Sequence, residues 1–363
     1  MAMSAAIVHD FFVADGGAEQ CAIEFAHMFP RAAVHTTFFD DTRFGARLAR
    51  DRVRTWPLQR LPRARSHFRS LFPLYAAYFS AIKVEADLVL SSSIAFSKAV
   101  RTRDDAVHLS YVYTPMRYAW DLETYLSQSS YPAPAKAAAR LVRPIMQRWD
   151  RWTARRPDGI VAISRTVAER IERTWRRDVD AVIYPPVRVD EIPLGTRDDG
   201  FLLVAARLLA YRRIDVAVRA CTALGRELIV VGEGPERRRL EALAGPSVTF
   251  RGHVDRQELL DLFTRCHAYL TPGIEDFGIA PVEAMAAGKP VIAYGRGGVT
   301  ETVEDGVTGI LVDRHEPDAF ADAIRRVDDL GIDPDLLRER ARRFDVPRFR
   351  SEWNAFLDGR GLV

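Results

Sequence analysis

Short apolar runs alternate with amphipathic segments along this sequence, and they do so in two successive series. The first series predicts strands at residues 5–12, 86–92, 107–113, 159–164 and 180–187, with helices at 18–29 and 165–175. The second predicts strands at 201–206, 227–232, 248–252, 267–271, 290–294 and 308–312, with helices at 214–224, 236–244, 256–266 and 317–327. Such alternation favours parallel sheets covered by helices on both faces.

A polar stretch rich in turn formers, residues 187–200, separates the two series and predicts a linker. With 363 residues the chain is long enough for two hydrophobic cores. We therefore predict an α/β chain with two Rossmann-like domains facing a central cleft, residues 1–187 and 188–345. A helix at about 346–360 is expected to pack back on the first domain. Ligands of such sheets bind beyond the carboxyl ends of the strands.

Composition excludes several other classes of protein. The longest apolar runs are strand-sized, so no transmembrane helix is expected. The first residues lack a basic segment and a cleavage site, which argues against a signal peptide. The three cysteines, Cys21, Cys221 and Cys266, lie far apart, so neither a disulfide framework nor a zinc knuckle is expected. We expect a cytoplasmic protein.

Charge is distributed unevenly between the halves. Residues 1–187 hold 27 basic and 19 acidic side chains, whereas the remainder holds 25 and 30. The basic excess is greatest between Arg43 and Arg69, where nine arginines accompany one acidic residue. This segment is a candidate for binding an anionic membrane surface, and a solvated helical face is the equally weighted alternative. No nucleic-acid recognition motif accompanies it, so we expect no nucleic-acid partner.

Two glutamates stand close together in the segment GIEDFGIAPVEAMAAGKPVI, residues 273–292. Glu275 lies in the turn after a predicted strand, and Glu283 lies in the first part of a helix that Pro281 helps to begin. The free N–H groups of that helix suit an anion such as phosphate, and a carboxylate suits paired sugar hydroxyls. The alternatives are a carboxylate that only meets the helix dipole, a solvated loop residue, or a pair of glycosidase carboxylates.

Arginines form a second candidate patch. Arg207 follows a predicted strand, and Arg212 and Arg213 stand at the start of the next helix. Guanidinium groups at that end of a parallel sheet are suited to holding a diphosphate. Surface charges without a ligand are the alternative.

These motifs resemble a known family. EDFGIAPVE, AMAAGKPVIAY, ARLLAYRRIDVAV, VVGEGPE, FRGHV and GGVTETVEDGVTGILV are similar, in order, to segments of the retaining nucleotide-sugar glycosyltransferases of family 4, which adopt the GT-B fold. IVHDFFVADGGAEQ, LVLSSSIAFSKAV, YVYTPMRYAWD, IVAISRTVAERI and VIYPPV resemble its mannosyltransferase-like branch, which makes bacterial surface polysaccharides. The resemblance covers nearly the whole chain.

The resemblance implies roles for residues of the second half. Glu283 is implied to bind the donor ribose, Glu275 hydroxyls of the transferred sugar, and Arg207 and Arg212 the departing diphosphate. Backbone groups implied to orient the sugar and phosphates, or to frame the base, belong to Phe277, Gly278, Ile279, Ala280, Gly232, Gly234, His253 and Val254.

For the first half, the resemblance implies that Gly16 and Gly17 let a loop approach the phosphates. Residues implied to line the cleft near acceptor or donor sugar are Tyr113, Met116, Arg117, Tyr118 and Trp120. Two positions depart from the family pattern. Arg212 replaces the usual lysine, which changes the geometry of the donor groups, and Tyr113 replaces a histidine that faces the reacting sugar.

The resemblance therefore implies transfer of a hexose, with retention, from a nucleotide diphosphate-sugar to a glycan hydroxyl. It favours GDP-mannose as donor and a polyprenyl-diphosphate-linked glycan as acceptor, at the inner face of the cytoplasmic membrane. It implies no catalytic metal, and no cofactor is expected. The DVD at residues 178–180 lies away from the expected cleft. The alternatives are a UDP-sugar-dependent transferase, a sugar-nucleotide epimerase, a phosphorylase-like enzyme, or a non-catalytic nucleotide-sugar-binding protein.

Overall fold

The computed structural model describes residues 3–61, 68–127 and 132–362. The chain divides into two units. The first unit comprises Met1–Leu122, Ala133–Pro186 and Phe349–Val363, and the second comprises Glu123–Pro132 and Val187–Arg348. Of the predicted basic segment between Arg43 and Arg69, residues 62–67 lie outside the described residues.

Both units are built on parallel sheets, as the alternation predicts. The strands are β1 (Ala5–His9), β2 (Ala33–Thr36), β3 (Val53–Thr55), β4 (Lys83–Val84), β5 (Leu88–Ser93), β6 (Arg101–Thr102), β7 (Val107–Val112), β8 (Gly159–Ala162), β9 (Ala181–Val182), β10 (Leu202–Ala205), β11 (Leu228–Val231), β12 (Val248–Gly252), β13 (Ala268–Thr271), β14 (Val291–Tyr294) and β15 (Gly309–Val312). The first sheet has the order β3-β2-β1-β5-β7-β8-β9, and the second has the order β12-β11-β10-β13-β14-β15. Strands β4 and β6 pair separately.

Helices connect these strands. They are α1 (Gly17–Met28), α2 (Asp41–Phe44), α3 (Phe72–Ala81), α4 (Arg117–Trp120), α5 (Leu122–Ser127), α6 (Ala133–Thr153), α7 (Arg165–Trp175), α8 (Ile214–Leu224), α9 (Arg237–Glu241), α10 (Arg256–Arg265), α11 (Ile279–Ala286), α12 (Pro317–Val327), α13 (Pro334–Ala341) and α14 (Val346–Asp358). None of the described helices is both long and apolar enough to span a bilayer.

Side-chain caps begin several helices where the sequence predicts them. The Ser164 hydroxyl accepts a hydrogen bond from the Val167 N–H at 3.1 Å, at the start of α7. The Asp255 carboxylate accepts one from the Glu258 N–H at 2.8 Å, at the start of α10. Each cap satisfies a donor that the first turn of the helix leaves without a partner.

Helix α14 packs on the first unit through aromatic side chains. Trp353 is fully buried, and its ring centroid lies 4.9 Å from that of Phe25 on α1 and 5.6 Å from that of Tyr111 on β7. Phe349, one turn earlier, lies 5.5 Å from Phe25. Large aromatic surfaces of this kind supply much of the burial in a core.

The segment predicted as a linker is bound closely to the second unit. The Val187 N–H donates to the Phe344 carbonyl at 2.7 Å, and the Gly195 N–H donates to the Ala287 carbonyl at 2.9 Å. Val189 and Ile192 are buried. The polar composition predicted a linker, and the burial of the apolar side chains within it favours this fixed position.

Asp180, the last residue of the DVD motif, has a structural position. Its carboxylate accepts a hydrogen bond from the Ile160 N–H at 2.8 Å and pairs with Arg360. The motif thus joins β8 to the C-terminal end of the chain within the first unit.

A lysine and an aspartate form a buried ion pair in the first unit. The Lys98 Nζ lies 2.7 Å from the Asp150 Oδ1, and both side chains are almost wholly excluded from solvent, at 1% and 0% exposure. The other carboxylate oxygen accepts hydrogen bonds from the indole N–H groups of Trp120, at 2.7 Å, and Trp175, at 2.6 Å. The Lys98 Nζ also donates to the Ala95 carbonyl, so both buried charges have hydrogen-bond partners, as burial of a charge requires.

Candidate active site

The predicted donor residues of the second unit gather at one edge of its sheet. Arg207 follows β10, Gly232 and Gly234 follow β11, His253 follows β12, and Glu275 follows β13. Because these four strands are parallel neighbours in the order β12-β11-β10-β13, their following loops lie side by side. Arg207 and His253 are exposed there, and Val254 is half-buried.

Gly232 and Gly234 allow two of these loops to interlock. A Cβ atom at Gly232 would collide with the Ala206 carbonyl oxygen, and one at Gly234 would collide with that of Leu208. The Leu208 N–H donates to the Glu233 carbonyl at 3.0 Å. The glycines therefore hold the backbone on either side of Arg207, a packing function that stands beside their predicted contact with the base.

Glycines also fix the loop that carries Glu275. The Gly298 N–H donates to the Glu275 carbonyl at 2.8 Å, and Glu275 and Gly297 form an isolated parallel bridge. A Cβ at Gly297 would lie 2.6 Å from the Glu275 carbonyl oxygen, and one at Gly273 would lie 2.8 Å from the Arg212 Cα. In the sequence the GG pair is only one part of a family motif, and its positioning of Glu275 is visible only in the tertiary structure.

The Glu275 carboxylate forms an ion pair with Arg212. Its Oε1 also lies 3.4 Å from the Thr271 hydroxyl. The Arg212 guanidinium stands over the Tyr211 ring, 5.2 Å from its centroid. Two of the three residues predicted to be catalytic, Glu275 and Arg212, are therefore brought together, and each neutralises the charge of the other.

Helix α11 presents its N-terminus at the same edge. Gly278 caps it with a φ of 100°, a left-handed conformation that favours glycine. Phe277 is buried, with its ring centroid 5.4 Å from that of Phe344. Ile279 and Ala280 are half-buried. First-turn N–H groups of a helix have no partner within it, so this turn is suited to an anionic group.

Glu283, one turn further along α11, pairs with a residue that the sequence did not indicate. The Arg256 Nη1 lies 2.7 Å from the Glu283 Oε1, with the arginine side chain 48% exposed and the glutamate 14% exposed. Burial raises the pKa of Glu283, and the charge and hydrogen bond of Arg256 act in the opposite direction. Arg256 is the first residue of α10 after its cap, and no motif marks it.

In the first unit, Gly16 and Gly17 begin α1, and a buried carboxylate holds that turn. A Cβ at Gly16 would lie 2.8 Å from the Glu19 Oε2. Burial raises the pKa of Glu19 to about 8, while N–H groups of Glu19 and Gly16 lower it and nearby Asp15 raises it further. A Glu at this position reaching back to the cap N–H is half of a capping box.

Tyr113 lies beneath the same turn. Its hydroxyl donates to the Ala18 carbonyl at 3.0 Å and lies 2.7 Å from the Ser92 hydroxyl, whose oxygen lies 3.0 Å from the His9 Nδ1. Tyr113 is buried, and that burial raises its pKa well above the usual value. Tyr113 stands where the resemblance implies a histidine, and its hydroxyl contacts the first turn of α1.

The other predicted acceptor residues divide into two kinds. Met116 is buried in the hydrophobic core, and the Trp120 indole N–H is bonded to Asp150. Arg117 and Tyr118 are half-buried, with the Tyr118 ring 5.1 Å from that of Phe72 and Arg117 3.8 Å from the Asp121 carboxylate. Arg117 and Tyr118 are therefore the better candidates for ligand contact.

No cluster of three or more potential metal-ligating His, Cys, Asp or Glu residues occurs within residues 3–61, 68–127 and 132–362. The second-unit edge instead combines two shielded carboxylates, several guanidinium groups and the start of a helix. Such a set can bind hydroxyls and a diphosphate at the same time.

Two family models match the chain. The model described as "Glycosyltransferase Family 4" matches residues 15–191, and "Glycosyl transferases group 1" matches residues 191–344. Together they take in nearly all of both units.

Curated relatives match over a smaller region. A D-inositol 3-phosphate glycosyltransferase of Xylanimonas cellulosilytica is 33% identical over 198 residues, which cover 46% of this chain and 48% of that protein. One from Streptomyces scabiei is 31% identical over 216 residues, covering 50% and 48%. The chain thus spans about half the length of the curated relatives that it matches.

Solved structures share the fold over the whole length. The Anabaena protein HepE in complex with UDP-glucose matches with a TM-score of 0.72 at 18% identity, covering 98% of this chain and 99% of that one. Sucrose-phosphate synthase of Thermosynechococcus elongatus gives 0.69 at 18% identity, covering 98% of each chain. From the family models and the shared two-unit architecture, the chain belongs to the glycosyltransferases of family 4 with the GT-B fold.

Proposed function

We propose that this protein transfers a hexose from a nucleotide diphosphate-sugar to a hydroxyl of a glycan acceptor, with retention at the anomeric carbon and without a metal ion. The observation that carries the proposal is the gathering of Glu275, Glu283, Arg212 and the start of α11 at one edge of the second sheet. Arg212 lies 63 residues before Glu275 in the sequence, so the fold brings it to the two glutamates, and a ligand with both hydroxyls and phosphates can use all of these groups.

Each group has a proposed task that suits its chemistry. The Glu283 carboxylate accepts hydrogen bonds from the ribose hydroxyls, and that of Glu275 accepts them from hydroxyls of the transferred sugar. The free N–H groups at Ile279 and Ala280 bind the phosphates. Arg207, exposed after β10, and Arg212 stabilise the negative charge that grows on the diphosphate as its bond to the sugar breaks.

Donor binding then requires both ion pairs of the site to open. Ribose hydroxyls replace Arg256 on Glu283, and the diphosphate replaces Glu275 as the partner of Arg212. Both arginines are partly exposed, so their displacement costs little desolvation. Each carboxylate, which is more shielded, keeps hydrogen bonds throughout the exchange.

The proposed chemical step is a substitution on one face of the sugar. The bond between the anomeric carbon and the diphosphate oxygen breaks, with both electrons leaving on the diphosphate. The acceptor oxygen forms its bond on the same face, and its proton passes to the departing phosphate. Preorganised N–H groups and guanidinium groups lower the barrier because they are already directed at the developing charge.

The identity of the donor has two candidates. The motif resemblance to mannosyltransferase-like enzymes favours GDP-mannose. The complex of HepE with UDP-glucose favours a UDP-hexose. Both nucleotides offer the same ribose and diphosphate to Glu283, Arg207 and Arg212, so the base contacts near His253 and Gly232 decide between them.

The proposed acceptor is a lipid-linked glycan, as the motif resemblance implies. The name of another protein with this fold, the lipopolysaccharide outer core galactosyltransferase WaaB, agrees with a glycan acceptor. The D-inositol 3-phosphate glycosyltransferases indicate instead a small polyol phosphate. Arg117 and Tyr118 are the first-unit side chains proposed to contact either one.

Thermal stabilisation tests the donor site. GDP, UDP, ADP and their sugar conjugates are added to wild type and to Glu283→Ala, and unfolding is followed by calorimetry. A ligand at a hundred times its Kd adds about 2.7 kcal/mol of stability. We expect one conjugate to stabilise the wild type, Glu283→Ala to lose that response, and the control Glu339→Ala, an exposed glutamate on α13, to keep it.

A response that Glu283→Ala retains would refute the proposed donor site. Product analysis separates the remaining functions. Release of an isomerised sugar nucleotide without acceptor would indicate an epimerase, and donor binding without turnover across an acceptor panel would indicate a non-catalytic binding protein.

A further inference from the structure

Helix α6 of the first unit exposes large apolar side chains on one face. Leu141, Ile145 and Trp152 are 80%, 67% and 54% exposed, and Val142 is 43% exposed. Leu141, Ile145, Arg148 and Trp152 are spaced at i, i+4, i+7 and i+11, which places them in one stripe along the helix. Leucine and isoleucine are seldom so exposed in a contiguous row unless the surface binds something.

The charges of this helix are of one sign where they meet solvent. Its five basic residues are Lys136, Arg140, Arg143, Arg148 and Arg151. Its single acidic residue, Asp150, is wholly buried in the pair with Lys98. Arg148 lies within the apolar stripe and is exposed, and Arg155 continues the exposed positive charge just beyond the helix.

The opposite face of α6 packs against the rest of the first unit and forms hydrogen bonds with it. Arg143 Nε donates to the Ala119 carbonyl at 3.2 Å, and Gln147 Nε2 donates to the same oxygen at 3.0 Å. Asp150 accepts from the Trp120 indole N–H. Because these contacts fix the rotation of the helix, its apolar stripe is held outward.

We propose that α6 is the surface by which this protein lies on an anionic membrane, with Leu141, Ile145 and Trp152 inserted between lipid headgroups and Arg148 among their phosphates. An amphipathic helix with aromatic and aliphatic residues on one face and arginines beside them binds lipid interfaces in this way. Exposed positive charge without exposed acid on the helix matches the negative surface of such a membrane.

This assignment differs from the one expected from the sequence. In the described part of the segment beginning at Arg43, two arginines are held by contacts within the protein, whereas Arg43, Arg50, Arg54 and Arg60 are exposed. Arg47 pairs with Asp15 at 3.0 Å, and Arg52 donates to the carbonyls of Ala26, Phe29 and Ala32 at distances of 2.8 to 3.1 Å. The segment beginning at Arg43 stays a predicted lipid contact, and α6 differs from it in exposing a row of large apolar side chains beside its arginines.

The inference also bears on the acceptor, and in this respect it rests on the proposed function. Helix α6 separates its outward stripe from α4, which carries Arg117 and Tyr118. A helix with its side chains is about 10 Å across, so lipid-bound α6 holds α4 roughly that distance from the headgroups. A sugar attached to a lipid through a diphosphate would lie at about that distance from the headgroups, close to α4.

Vesicle flotation with the full chain tests the surface. We expect binding to phosphatidylcholine vesicles that contain phosphatidylglycerol, weakening at high salt, and little binding to phosphatidylcholine alone. Leu141→Glu/Ile145→Glu should lower the partition coefficient by about tenfold or more, since it replaces buried apolar contacts with repelled charges. The control Leu74→Glu changes a leucine on α3 that is 48% exposed, and this variant should bind as wild type does.

Three results would overturn the proposal. Loss of binding in Leu74→Glu but not in the α6 variant would assign the membrane surface to α3. Equal binding to vesicles of phosphatidylcholine alone would show that the surface does not require an anionic lipid. Concentration-dependent association without lipid, abolished by the α6 variant, would assign the stripe to a second copy of the chain. Donor-induced stabilisation, measured on the same variant, is expected to be unchanged, so failure of the membrane surface is distinguishable from failure of the donor site.

Discussion

The two units use ion pairs of opposite kinds. In the first unit, Lys98 and Asp150 are 1% and 0% exposed, and their remaining polar atoms bond to Ala95, Trp120 and Trp175. In the second, the carboxylates of Glu275 and Glu283 are shielded, whereas their arginine partners remain partly exposed. The buried Lys98–Asp150 pair cannot exchange partners with water or a ligand. The two pairs of the second unit can, because their arginines reach solvent.

Burial therefore separates structural charge from charge available to a ligand. The Lys98–Asp150 pair connects the segment before β6 with α6 and α7. Removing either member leaves the other as an uncompensated charge in a low-dielectric interior. The arginines of the second unit lose little when they leave their carboxylates, because water can solvate them. Four experiments test this contrast, in order of the expected effect.

Breaking the buried pair should have the largest effect. Asp150→Asn leaves Lys98 uncompensated and is expected to cost about 3–5 kcal/mol of unfolding free energy. All six tryptophans belong to the first unit, so tryptophan fluorescence during urea titration reports its unfolding. The control Asp105→Asn, which removes an exposed partner of Arg103, should cost less than about 1 kcal/mol. Similar costs for both variants would show that burial does not distinguish the pairs.

Removing Arg212 should act on turnover and hardly on stability. Arg212→Ala is expected to lower kcat by about 10²–10³-fold, a barrier increase of about 3–4 kcal/mol, since one donor to the developing charge is lost. Arg212→Lys should recover part of the rate, because it restores charge without the planar fork. A large loss of stability with unchanged kcat per folded molecule would make this pair structural, as the first unit's pair is.

Removing Arg256 should improve donor binding slightly. Arg256→Gln frees Glu283 from a partner that competes with the ribose, and a partly exposed pair is worth about 0.2–1 kcal/mol, or up to about fivefold in Kd. Titration calorimetry with the donor measures the change. Arg265→Gln on the same helix serves as the matched control, since Arg265 pairs with Asp199 and Asp261, and should leave Kd unchanged. Weaker binding in Arg256→Gln would show that Arg256 contacts the donor.

The pH dependence of donor binding should test whether the ionised Glu283 carboxylate binds the donor. Burial raises the pKa of Glu283, and only its ionised form accepts two hydrogen bonds from the ribose. Donor affinity is therefore retained above that pKa and lost as the pH falls through it. In Arg256→Gln the favourable charge is gone, so the loss should begin at a higher pH. Coincident profiles for the two proteins would exclude Glu283 as the titrating group.

Much of the architecture followed from local patterns. The alternation of buried strands and amphipathic helices predicted two parallel sheets, and Ser164 and Asp255 marked helix starts that the structure contains. The segment around Glu275 and Glu283 was also evident, because glycine and proline limit how a turn leads into a helix. These features depend on neighbours in the chain, whose chemistry can be read directly.

Other features depended on which distant residues meet. No local pattern indicated that Arg256 pairs with Glu283, that Gly297 and Gly298 hold the Glu275 loop, or that Tyr113 bonds to the first turn of α1. The sequence analysis also did not identify the apolar stripe of α6, because the exposure of Leu141 and Ile145 is set by tertiary packing.

The sequence alone thus determined the fold class, the family motifs and the positions of two carboxylates, because periodicity, turn chemistry and short motifs are local. Only the tertiary structure decided which charges are buried, which are paired and which face solvent. The free energy of a charge depends on its surroundings in three dimensions, so an arginine or glutamate is held in a buried pair or left accessible to solvent according to what lies next to it.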